Sequence, residues 1–196
     1  PSYDRVVADA RERRAERAQQ GSGLIASNER LDRWIRRSSS DLDMMITDTS
    51  RGLYPYAGIP WFSTPFGRDG LLTAFELLWA NPEVARGVLT FLAATQATTY
   101  SDAEDAQPGK ILHEMRGGEM AALREVPFGL YYGSVDATAL FVVLDGLYAE
   151  RTGDDDAIAE LWPAVEAALA WIDGPGDPDG DGFVEYYRMT EQGLAN

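Results

Sequence analysis

Apolar residues recur at intervals of three and four along most of this chain, and that period is helical. In residues 28–46, Leu31, Trp34, Ile35, Leu42, Met45 and Ile46 fall mostly on one stripe. They predict an amphipathic helix capped by Ser27 or Asn28, with the stripe buried. A helix of about 70–79 follows, then Asn81-Pro82, then a helix of about 82–97 with Pro82 at its first position. The two form a hairpin with a very short turn. Residues of about 134–152 are apolar almost all round and must be covered on several sides. Thr152-Gly153-Asp154 ends that helix, and a helix of about 155–173 returns.

Residues 3–20 are rich in Ala, Arg and Glu and read as a polar helix, ended by Gly21-Ser22-Gly23. The acids among its arginines favour a solvated face over a basic patch. Residues 1–22 are therefore set apart from the domain proper, 23–196. Two irregular stretches interrupt the helices. Residues 54–70 hold Tyr54, Tyr56, Trp61, Phe62 and Phe66 among prolines and glycines, which forbid a long helix and stiffen the loop. Residues 98–133 are long, polar and glycine-containing, and a connection of that length inside a compact domain is usually functional. A short strand is expected at 183–187. The fold class is all-α, and helical hairpins joined by long loops fit an α/α toroid with a few short strands.

Composition narrows the chemistry. The 196 residues contain no cysteine and one histidine, so disulfides and thiolate metal sites are excluded and histidine-rich metal catalysis is not expected. A net charge of −15 repels nucleic acid and anionic membranes, but does not penalise a neutral substrate. Apolar runs fall short of the ~20 residues of a membrane helix. A cytoplasmic location is expected, and a cysteine-free chain is compatible with it.

Four clusters could carry chemistry. Arg68–Asp69 follows the aromatic loop: Asp69 either caps the next helix or accepts hydrogen bonds from two sugar hydroxyls while Arg68 orients it. Rings with apolar faces beside directional charged groups suit a sugar, which has C–H faces and a hydroxyl rim. His113, Glu114, Arg116 and Glu119 lie within seven residues and suit a polar wall or an ordered loop. A second histidine for a zinc helix is missing there. Tyr131, Tyr132, Ser134 and Asp136 read either as a helix entry, with Ser134 as cap, or as groups facing the same opening. Asp177, Asp179, Asp181 and Glu185 alternate as in a calcium loop, but position twelve is Arg188, so a full EF-hand is ruled out. A turn with an acidic rim or a looser calcium site remains.

Taken together, Ala57-Gly-Ile-Pro-Trp-Phe-Ser-Thr-Pro-Phe-Gly-Arg-Asp-Gly70, Pro108-Gly-Lys-Ile-Leu-His-Glu114, Tyr131-Tyr-Gly-Ser-Val-Asp-Ala-Thr138 and Asp179-Gly-Asp-Gly-Phe-Val-Glu-Tyr186 resemble the bacterial glycogen-debranching, amylo-α-1,6-glucosidase-like family. The resemblance spans about 27–196. It implies a six-hairpin (α/α) toroid, of which this chain is the N-terminal part, and inverting hydrolysis of α-glucosidic bonds. It also implies that Trp61, Phe62, Arg68 and Asp69 line a sugar subsite. His113, Glu114, Tyr132 and Asp136 join them as expected substrate contacts, and Trp61 and Asp69 are expected to face one hollow. The family's general acid and base lie beyond Asn196, so this chain alone is expected to bind an oligo- or polysaccharide without cleaving it. Part of a ring leaves central helices uncovered, which a homo-oligomer would cover. The rival reading is a non-catalytic carbohydrate-binding or helical interaction module.

Overall fold

The computed structural model describes residues 2–20, 22–117, 119, 123 and 129–186. It is mostly helical. In chain order the elements are α1 (Tyr3–Gln20), α2 (Glu29–Met45), β1 (Ile46–Thr49), β2 (Gly52–Pro55), α3 (Gly67–Leu77), α4 (Pro82–Ala94) and a 3-10 turn (Asp102–Glu104). Then come β3 (Glu114–Met115), β4 (Leu130–Tyr131), α5 (Asp136–Thr152) and α6 (Asp155–Ile172).

Helices α3 to α6 and strand β2 enclose the core. Helix α4 supplies much of it, because Val84, Val88, Leu89 and Leu92 recur at helical spacing and are fully covered. Asn81 caps it by accepting from the Glu83 amide at 3.2 Å, and Pro82 occupies its first turn. Helix α5 packs against α3, α4 and α6, burying Phe141, Leu144 and Tyr148. Gly153, at φ 64°, closes α5 in the left-handed region, and Asp154 at once caps α6 through the Ala157 amide. The Tyr148 hydroxyl donates to the same Asp154 carboxylate at 2.9 Å, locking the turn.

Close backbone approach fixes β2 on α4. A Cβ on Gly87 would stand 2.2 Å from the Leu53 carbonyl oxygen, so glycine alone permits this contact. The β1–β2 hairpin pairs Ile46 with Pro55 and Thr49 with Gly52. The periodicity gave no sign of it, since the pair is short and runs straight out of α2.

Part of the connection after α4 is tied down by buried polar contacts. Gln96 donates to the carbonyls of Gly109 and Ala164, both at 2.9 Å. Lys110, the one lysine of the chain, is buried, donates to the Asp105 carbonyl at 3.1 Å and lies 5.6 Å from the Trp171 ring centroid.

Three expectations change. Helix α2 is capped by Asn28 and amphipathic as predicted, but none of its residues is buried and Trp34 is 66% exposed. Its stripe finds only partial cover against the chain. Residues 183–186 form no strand, and Tyr187 lies outside the described residues. Helix α3 starts at Gly67, three residues early, with Phe66 as an N-cap that offers no side-chain bond, so Asp69 sits in the first turn and is not the cap.

Asp145 is the one core carboxylate on α5. It is 4% exposed and its Oδ1 has no partner. Burial raises its pKa above the ordinary 3.8. The folded state therefore binds this proton more tightly than the unfolded chain, and stability falls as pH rises through that interval. Asp145→Asn is expected to raise stability at pH 7 by about 1 kcal/mol. The gain should vanish below pH 4, where the wild-type carboxyl is protonated. Thermal melts at both pH values check this, and a gain independent of pH would contradict it.

Candidate functional site

Three segments meet in front of α3. Met115 donates its amide to the Pro65 carbonyl at 3.1 Å, Gly67 donates to the His113 carbonyl at 2.8 Å, and His113 donates to the Tyr131 carbonyl at 2.8 Å. Phe66 bridges to Glu114, and Glu114 pairs with Tyr131 across β3 and β4. The Thr64 hydroxyl donates to the Met115 carbonyl, and the Tyr54 hydroxyl donates to the Phe66 carbonyl at 2.9 Å. The stiff aromatic loop is thereby seated against the 112–116 segment. Gly67 makes this possible: a Cβ there would stand 1.9 Å from the Leu112 carbonyl oxygen.

That frame opens a hollow of about 640 Å³, lined by residues of the aromatic loop, α3, the His113 segment, the start of α5 and Tyr186. Phe62, Arg68, Asp69, His113, Glu114 and Asp136 all line it, so six of the eight expected contact residues are brought together. The other two are not. Trp61 is 80% exposed and does not line the hollow that Asp69 lines, so the expected pairing of these two fails. Tyr132 is buried, donates its hydroxyl to the Thr95 carbonyl at 2.7 Å and lines a separate small recess beside Thr95. Tyr131 does not line the hollow either; its hydroxyl donates to Asp105 Oδ2 at 2.9 Å.

The charges are distributed differently from the expectation. Arg68 donates through Nη1 to Asp136 Oδ2 at 3.0 Å, so it bridges α3 to the start of α5 and does not orient Asp69. Arg116 donates through Nε to Glu114 Oε1 at 2.6 Å, and Glu114 is 2% exposed. Asp69 is half-buried and in no ion pair among the described residues. His113 lies edge-on to Phe66 and Tyr131, with centroids 5.9 and 5.8 Å apart. Burial holds its pKa below 6.5 against the opposing pull of Glu114, so the ring is neutral at pH 7.

Among the described residues, three buried polar atoms that line the hollow lack partners: His113 Nδ1, Ser134 Oγ and Asp136 Oδ1. Ser134 was expected to cap α5, but Val135 holds the cap position without a side-chain bond. Its hydroxyl is left at the hollow, 93% covered. Buried polar atoms are normally satisfied, so three orphans in one concavity mark a place where a polar ligand would complete the bonding. Size alone would favour another hollow, of about 700 Å³, beside the β1–β2 turn. It is lined by three arginines and three acids and contains none of the unpartnered atoms. The smaller one is therefore the better site. Phe66, read among the rings of the loop but not among the expected contacts, lines the hollow, and so does Tyr186, which reading the sequence missed. Tyr186 is placed there by a turn whose course no pattern announces.

Beyond α6, one carboxylate oxygen from each of Asp177, Asp179, Asp181 and Glu185 lies within 4.8 Å of the others. Desolvation and the charges of Asp179, Asp177 and Asp181 push the Glu185 carboxyl up.

The chain matches no known family model, and no curated protein matches it either.

Proposed function

We propose that the hollow binds the terminal glucose unit of an α-glucoside, and that the chain is the sugar-binding part of a cytoplasmic amylo-α-1,6-glucosidase-like hydrolase with an (α/α)6 toroid. The carrying observation is the set of unpartnered polar atoms, His113 Nδ1, Ser134 Oγ and Asp136 Oδ1, beside the open carboxylate of Asp69. An imidazole nitrogen, a hydroxyl and two carboxylates match the alternating donors and acceptors of a sugar's hydroxyl rim. Phe62, Phe66 and Tyr186 supply ring surface for its C–H faces.

Hydrolysis with inversion needs an acid and a base about 6.5–9.5 Å apart across the scissile bond. Glu114 and Asp136 are each held by a guanidinium, an arrangement that binds and orients. We assign proton transfer to groups outside this hollow, so this chain binds without turnover. Maltooligosaccharides titrated against tryptophan fluorescence should saturate with no glucose released. A flat titration would remove the reading.

The acidic loop fits Ca²⁺. Oxygen ligands at 2.3–2.6 Å from one ion stand at most about 5 Å apart, which the 4.8 Å cluster meets. Calcium at 1 mM is expected to raise the melting temperature above that in chelator, while equal magnesium leaves it unchanged. Equal melting in calcium and chelator would exclude the site.

A further inference from the structure

We propose that Asp105 is a positioning residue of the hollow: it fastens the Tyr131 side chain behind His113 and Gly133, and so holds that wall in place from outside the cavity. The inference deepens the saccharide reading, on which only the choice of maltose as a probe rests.

Asp105 stands in a strap beyond α4, where Ser101 pairs with Ala106 around the 3-10 turn. Its φ of 49° is left-handed, and among the described residues it is the one non-glycine residue with a positive φ. Glycine would adopt the same conformation without strain, so the turn itself does not call for an aspartate. What the side chain adds is a buried acceptor. Asp105 is 2% exposed, and its Oδ2 accepts from the Tyr131 hydroxyl at 2.9 Å. Its carbonyl accepts from Lys110 Nζ at 3.1 Å, and the neighbouring Glu104 carbonyl accepts from the Tyr132 amide at 2.8 Å. The strap is thereby clasped to two successive residues, Tyr131 and Tyr132.

Tyr131 carries the effect inward. Its carbonyl accepts from the His113 amide at 2.8 Å, and its ring lies edge-on to the imidazole with centroids 5.8 Å apart. Its hydroxyl lies against Gly133, where a Cβ would stand 2.1 Å from the oxygen. His113 and Gly133 both line the hollow, and neither Tyr131 nor Asp105 does. The tyrosine is pinned at both ends, by its backbone in β4 and by its hydroxyl on Asp105. With the hydroxyl released, the ring can turn. His113 then loses one of the two aromatic rings that enclose it, Phe66 being the other.

Because His113 is the sole histidine, its ring protons can be followed by NMR through a pH titration. The proteins compared are the 196-residue wild type, Asp105→Gly, Asp105→Asn, Tyr131→Phe and the Asp105→Gly/Tyr131→Phe double variant. Burial keeps the His113 midpoint below 6.5 in the wild type. Asp105→Gly and Tyr131→Phe should each raise it toward 6.5. The double variant should add nothing, because both single changes remove the same bond. Asp105→Asn keeps an oxygen acceptor and tolerates the left-handed backbone, so its His113 should stay close to wild type. Maltose affinity should fall about two- to tenfold in Asp105→Gly and Tyr131→Phe, the equivalent of one net hydrogen bond, and recover in Asp105→Asn. Tyr131→Phe, which keeps the ring, decides the matter if glycine at 105 unfolds the chain. An unmoved His113 in the single variants overturns the inference. So do additive shifts in the double variant, or an Asp105→Asn that moves His113 as far as Asp105→Gly does. If maltose fails to bind even the wild type, the saccharide reading falls, and the His113 titration still decides the inference.

Discussion

Gly67→Ala is expected to lower stability by roughly 3–5 kcal/mol, as overpacking against rigid backbone does at its most severe. The methyl would stand 1.9 Å from the Leu112 carbonyl oxygen and 3.1 Å from its carbon. Neither atom belongs to a flexible side chain, so the strain must move a segment. The choices are the first turn of α3, which carries Arg68 and Asp69, or the segment leading into His113 and Glu114. Either movement breaks the 2.8 Å bond from the Gly67 amide to the His113 carbonyl and opens the hollow. Gly146→Ala supplies the contrast. Gly146 lies inside α5 with nothing within 4 Å of its added methyl, so alanine should stabilise by about 0.5–1 kcal/mol through helix propensity. Denaturant midpoints of the two variants should move in opposite directions. A Gly67→Ala loss below about 1 kcal/mol would mean that the loop and the 112–114 segment are not packed as described.

Asp69→Asn is expected to weaken glucoside binding about 10- to 100-fold, the range of charge-assisted hydrogen bonds worth about 1.5–3 kcal/mol. Among the described residues, Asp69 is the lining carboxylate whose charge is not taken up by a guanidinium, because Arg68 is committed to Asp136 and Arg116 to Glu114. The substitution keeps shape and removes charge. Losing an acid from the first turn of α3 should cost stability only about 0.3–1 kcal/mol. Binding and folding effects are therefore separable at this position. At Glu114 they are not, since removing a carboxylate that is 2% exposed strands its arginine.

Much of the framework was legible in the sequence, for physical reasons that differ by element. Helices α4, α5 and α6 were readable because apolar period, caps and breakers agree: Asn81-Pro82 opens one, and Gly153-Asp154 closes the next and starts the last. Helix α2 was readable as a helix and misread as buried, since a stripe records what a helix can bury and not whether anything lies against it. The hairpin 46–55 was hidden because four-residue strands carry too little alternation to register.

The site was legible as a set of residues and not as a set of partnerships. Adjacent numbers suggested that Arg68 serves Asp69, whereas the fold sends Arg68 across to Asp136, 68 positions away. Trp61 and Tyr132 were placed in the hollow by company, and neither lines it: Trp61 is exposed and Tyr132 lines a separate recess. Ser134 was read as a cap because serine before a helix usually is one. The helix begins two residues later and leaves its hydroxyl free for the hollow.

His113 is the sole histidine and stands in the hollow with an unpartnered Nδ1, so its ring protons report on this site alone. Maltose titrated into the chain should move those proton resonances saturably, and the same titration of Asp69→Asn should leave them nearly still. His113 resonances that stay fixed while maltose binds the wild type would contradict the account.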